Sequence, residues 1–167
     1  MNALEAVQAA REILKDVTPM KTDCGRVCGA ACCAPDEEGK GGMLLFPGEE
    51  QLYDVLPDGF SILPDDTVVP DGKLLICMGH CPRDKRPLSC MFFPLRPTWK
   101  GTVRIDRRGL HVCPLAEYGV GGLNPDFVEA AKKAADVLIS CPEQEDYLRA
   151  LGAHIKGVLE ASRKGGF

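Results

Sequence analysis

The sequence predicts an α+β fold, in which a loop-rich, small-strand metal-binding core is flanked by N- and C-terminal helices. Three observations carry this. Eight of the nine cysteines fall between residues 24 and 113. In that same region the apolar runs are short and Pro57, Pro64 and Pro70 interrupt them. At both ends, apolar residues recur at spacings of three and four, the period of an amphipathic helix.

The elements follow in order. Leu4, Val7, Ala10, Ile13, Leu14 and Val17 predict a helix over 2–17, with Asn2 as N-cap and Pro19 beyond its end. Next comes Cys24-Gly-Arg-Val-Cys28-Gly-Ala-Ala-Cys32-Cys33, four thiols within ten residues. Cys24, Cys28 and Cys32 would share one face of a helix, whereas Gly25 and Gly29 favour a loop leading into a helix. Residues 34–42 read as a polar, glycine-rich loop. Residues 43–46 suit a short strand and 47–56 a short helix with Pro47 in its first turn. Residues 60–63 and 73–78 are strand candidates. Residues 102–106 and 110–113 read as a hairpin turning at Arg107-Arg108-Gly109. Pro125 and Pro142 each start a helix, the first carrying Phe127, Val128, Ala131, Ala134, Leu138 and Ile139, the second running to about residue 162. The expected organisation is one domain, 1–167, with a core at 22–123 and helical additions at 2–17 and 124–163.

Composition narrows the function. The net charge of −4 gives no broad attraction to nucleic acid or anionic membrane. No apolar run nears the ~18 residues of a transmembrane helix, and residues 1–18 lack a signal-peptide core. A cytoplasmic protein is expected. In a reducing compartment an odd number of clustered cysteines points to metal or redox chemistry rather than disulfides.

Zinc and iron–sulfur centres both take about four thiolate or imidazole ligands. Cys24, Cys28, Cys32 and Cys33 form one knuckle. Cys77, Cys81 and Cys90 form a second, and Cys113 arrives from a later segment. Arg83, Lys85 and Arg86 lie between two of these, and Arg104, Arg107 and Arg108 precede Cys113. Cations there would stabilise the thiolates of an anionic centre, so Arg86 is a candidate cofactor-binding residue. His80 and His111 each neighbour a cysteine and could each complete a Cys3His site, but the plentiful cysteines favour a place beside the site or at the surface. Cys141, between two helices, reads as a buried free thiol.

These residues resemble the YkgJ-like cysteine-cluster family, described as zinc- or iron-chelating domains. Cys24, Cys28, Cys32 and Cys33 match its opening Cys-x-x-Cys-x-x-Cys-Cys group, with both gaps one residue longer. Cys77, Cys81, Arg86-Pro87, Cys90 and Phe93-Pro94 match its second segment, with Met91 where the family has Arg. Cys113-Pro114, the 119–122 turn and the helix from Pro125 match its third. The resemblance spans roughly residues 22–138 and implies a metal or iron–sulfur centre. One branch is similar to flagellin lysine N-methylases, but no methyl-donor site is apparent here.

Two functions are expected from different classes. One is a metal-centre protein holding an iron–sulfur cluster (4Fe-4S favoured) or iron, with a redox, electron-transfer or iron-handling role. The other is a structural zinc protein acting as a partner-binding module without catalysis. A thiol enzyme would need a base beside a low-pKa cysteine, for which Cys81 next to His80 offers only adjacency. Whether the chain is an enzyme stays open.

Overall fold

In a computed structural model the described residues are 1–21, 41–79, 81–110 and 112–164. The fold is α+β, with helices flanking two small antiparallel sheets.

Helix α1 spans Ala3–Leu14. Its start is fixed by a capping box: Asn2 accepts from the Glu5 N–H, and Glu5 accepts from the Asn2 N–H at 2.8 Å. Two donors that the helix would leave unpaired are thereby satisfied. Strands β1 (Gly41–Leu44), β2 (Ser61–Pro64) and β3 (Lys73–Cys77) form one sheet in the order β1-β3-β2. In its register Gly41 faces Cys77 and Ser61 faces Ile76. A short helix α2 (Leu88–Phe92) follows, then β4 (Leu95–Pro97) paired with β5 (Val103–Ile105). Helices α3 (Pro125–Ile139) and α4 (Pro142–Lys164) complete the chain.

The main core is helical. Val7, Ala10 and Leu14 of α1 pack with Phe127, Ala131 and Leu138 of α3 and with Leu148, Leu151 and Ile155 of α4. Phe46, Leu88, Phe92 and Leu95 join the same cluster, so the terminal helices support the middle of the chain. Gln144, fully buried, donates to the carbonyls of Ala3 and Pro47 and ties α4 to both. The three-stranded sheet has a separate cluster of three buried side chains, Leu45, Tyr53 and Leu75.

Three expectations change. The helix at 47–56 is a single 3₁₀ turn, Glu49–Leu52. The hairpin at 102–113 does not form. Residues 103–105 pair backwards with 95–97 instead, through a turn where Gly101 has φ +73°, a conformation cheap only for glycine. Asp106 then accepts from the Arg108 N–H and starts a 3₁₀ turn at Arg107–Gly109, which diverts the chain before a second strand can begin. Finally, the core expected to consist of loops and small strands contains a short helix at Leu88–Phe92, which carries Cys90.

Candidate metal centre

Cys90 sits on α2, whose position is set by a buried carboxylate. Glu49 is fully buried and accepts from the backbone N–H of Leu88 at 2.6 Å and of Phe46 at 2.9 Å. Its pKa is pushed up to about 7 by burial, against the opposing pull of those two N–H groups and of Arg11. Arg11 lies 3.5 Å from Glu49 and donates to the carbonyls of Arg86, at 2.5 Å, and Asp84, at 3.0 Å. The Tyr53 hydroxyl donates to the Lys85 carbonyl at 2.8 Å. Ser89 Oγ donates to the Leu44 carbonyl at 3.1 Å, joining α2 to β1. The Cys81–Cys90 connection is therefore held by Arg11 of α1 at Asp84 and Arg86, by Tyr53 at Lys85, by Glu49 at Leu88 and by β1 at Ser89.

Cys81 and Cys90 both lie near this clamp. The Tyr53 hydroxyl is pushed upward mainly by burial, then by Glu49, and further by the potential of Cys90 and Cys81, while Arg11 opposes them. Cys113 comes from another direction. Its N–H donates to the Gly109 carbonyl at 2.9 Å, and Gly109 lies against the Phe93 ring, so closely that a Cβ there would sit 2.6 Å from it. The Asp106 N–H donates to the Pro94 carbonyl at 2.8 Å, and Asp106 holds Arg108 through two side-chain contacts of 3.0 and 2.7 Å.

Cys90 and Cys113, 23 residues apart in sequence, line one cavity of about 1140 Å³. Arg11, Arg86 and Arg108 line it too, as do Val17, Pro19 and Met20 on the approach to residue 22. That approach is pinned: the Asn124 N–H donates to the Pro19 carbonyl at 2.8 Å, and its side chain to that of Thr18 at 3.3 Å. On the far side of residues 22–40 the chain resumes at Gly41, opposite Cys77. The described chain thus enters the cysteine-rich stretch beside Cys90 and Cys113 and leaves it beside Cys77.

Of the expected ligands, Cys77, Cys81, Cys90 and Cys113 are half-buried, while Cys141, expected as a buried thiol rather than a ligand, is buried in the helical core. Cys24, Cys28, Cys32 and Cys33, like His80 and His111, lie outside the described residues. Among the described residues, no three His, Cys, Asp or Glu side chains are grouped to hold a metal ion. What this cavity brings together is two thiols with four guanidinium groups, Arg11, Arg83, Arg86 and Arg108, and with the carboxylates of Glu12, Asp16, Asp84 and Asp106; thiolates are soft metal ligands, and neighbouring cations favour the thiolate form.

Of the six cations expected near the thiols, Lys85 lines neither cavity and the other five divide. Arg83, Arg86 and Arg108 line this cavity, whereas Arg104 and Arg107 line a different one. Sequence reasoning missed the Glu49–Arg11 clamp. Arg11 lies in the last turn of α1 and Glu49 in the first turn of the 49–52 helix, where charged residues are ordinary, so nothing local signals their pairing. Among the described residues no helix is long and apolar enough to cross a membrane. No family model, curated protein or solved structure matches the chain.

Proposed function

We propose that the chain holds a thiolate-ligated metal centre, with an iron–sulfur cluster, 4Fe-4S favoured, as the group bound. Its role would be redox, electron transfer or iron handling in the reducing cytoplasm, where such thiols stay reduced. The observation that carries the reading is that Cys90 and Cys113 line one cavity with Arg86, Arg11 and Arg108. In this reading Cys81, Cys90 and Cys113 act with cysteines of the 24–33 stretch, and Cys77 stands beside them. When bound, a cluster supplies one-electron chemistry. The chain's own part is to position the thiols through the Glu49–Arg11 clamp and to offset their negative charge with Arg86 and Arg108.

A second reading is a structural zinc site in a partner-binding module. It is favoured by the three-residue core of the sheet, because a metal can supply folding energy that burial does not. Metal and acid-labile sulfide analysis of anaerobically purified protein, with an absorption spectrum of the same sample, separates the two. Iron with matching sulfide and a broad visible band supports the cluster. Zinc without a visible band supports the structural site. Neither metal overturns both.

A further inference from the structure

A second cavity shares no lining residue with the first. It has a volume of about 700 Å³ and lies between the β4–β5 hairpin and the later turns of α4. Its charge is opposite to that of the whole chain. The hairpin and the turn after it contribute Arg96, Lys100, Arg104 and Arg107, and α4 contributes Arg149, Lys156 and Arg163, against one acid, Glu160. Seven cations less one carboxylate give a local charge of +6, in a chain whose net charge is −4.

The placement of these cations is uneconomical unless something anionic joins them. Arg149, Lys156 and Arg163 recur every seven residues and form one stripe along α4. Gly152, within that stripe, leaves open space, since a Cβ there would meet nothing within 4 Å. On the hairpin, Arg96 is directly opposite Arg104, and like charges in that relation are destabilising. Arg96 Nε is buried and has no hydrogen-bond partner among the described residues. Among those residues no ion pair neutralises Arg104, Arg107, Lys156 or Arg163. Arg149 does pair with Glu145, at 2.8 Å, and its guanidinium lies 3.9 Å from the Trp99 ring centroid. The Thr98 and Thr102 hydroxyls, 2.7 Å apart, add polar groups to the same lining.

We propose that this groove binds a small molecule carrying at least two phosphate groups. Guanidinium forks match phosphate oxygens in geometry and charge. One phosphate between Arg96 and Arg104 would remove their mutual repulsion. Because Arg149, Lys156 and Arg163 stand on a different element, a second phosphate is needed to engage α4. The cavity volume falls within the ~300–1,000 Å³ of small-ligand sites.

Trp99 is the chain's one tryptophan, so its fluorescence reports on the groove directly. The experiment titrates the full chain with inorganic tripolyphosphate at fixed ionic strength, followed by fluorescence and calorimetry. The expected result is saturable binding at one per chain with a change in Trp99 emission. Arg104→Gln and Lys156→Gln should each weaken it about tenfold, the loss of one charge-assisted contact. Lys132→Gln, on the exposed face of α3, should leave it unchanged. Lys156 is exposed on a helix, so its variant tests the site even if the hairpin variant folds poorly. Absence of saturable binding at millimolar tripolyphosphate would overturn the proposal, as would equal weakening by Lys132→Gln. Binding of a single-stranded oligonucleotide about ten nucleotides long, without binding of tripolyphosphate, would overturn it in favour of a nucleic-acid surface.

Discussion

The helical region and the three-stranded sheet are held by different means. In the first, α1, α3 and α4 bury one face each into a continuous apolar cluster that also takes in Phe46, Leu88, Phe92 and Leu95. In the second, 13 strand residues share a core of Leu45, Tyr53 and Leu75. Small sheets with little apolar backing are marginal in water. Leu52, Leu56, Phe60 and Ile62 pack against this core only partly buried, and polar contacts add to them: Ser89 to Leu44 and Tyr53 to Lys85, next to the Glu49–Arg11 clamp. The described cysteines follow the same division, with Cys77, Cys81, Cys90 and Cys113 outside the helical cluster and Cys141 inside it. The difference teaches where the proposed thiolate ligation would act: Cys77 lies on the sheet itself and Cys90 on α2 between Leu88 and Phe92 of the main cluster, so shared ligation would tie the weakly backed sheet to that cluster.

The comparison can be broken most forcefully from the helical side. Phe127→Ala, at a fully buried position of α3, should cost about 3–5 kcal/mol and lower the melting temperature of the whole chain, while the folded fraction keeps its metal. On the other side, Cys90→Ser should lose metal and loosen the sheet, whereas Cys141→Ser should keep full metal content. Metal stoichiometry of the two variants checks this, and equal losses would count against the ligand assignment.

The clamp joining the two regions gives a pH prediction. The Glu49 pKa rises from 4.5 to about 7 on folding, so between those values the folded chain holds a proton that the unfolded chain releases. Stability from this group is full below pH 4.5 and is lost as pH rises through about 7. The loss is at most about 3 kcal/mol, and Glu49→Gln should flatten it in melts recorded across that range. Arg11→Ala should cost roughly 1–3 kcal/mol, because the carbonyls of Asp84 and Arg86 lose their donor. It should also speed metal loss to a chelator. The smallest effect belongs to Asn2→Ala, which removes the α1 cap for roughly 1 kcal/mol and should not change metal content.

The helices were legible because their signals are local. Asn2 with Glu5, Asn124 with Pro125, and Pro142 are start signals, and the apolar period states which face is buried. The β4–β5 pairing was not, because Arg107-Arg108-Gly109 resembles a hairpin turn as closely as Trp99-Lys100-Gly101 does. The choice rests on tertiary facts: the Asp106 N–H reaching the Pro94 carbonyl, and Gly109 fitting under Phe93. For the candidate site, the residue types were readable and their grouping only partly so. Sequence placed Arg104, Arg107 and Arg108 together before Cys113. The 3₁₀ turn at Arg107–Gly109 separates them, with Arg108 turned to Asp106 and its two neighbours lining the phosphate groove proposed above. Glu49 was illegible because its partners Phe46, Leu88 and Arg11 come from three separate segments of the chain.

Hydrogen–deuterium exchange on the metal-loaded chain, with and without a chelator, tests the central claim most directly. Loss of protection after metal removal in residues 41–79 and 81–115, with α1, α3 and α4 still protected, is the result this account predicts. Unchanged exchange throughout, or equal loss in the helices, would contradict it.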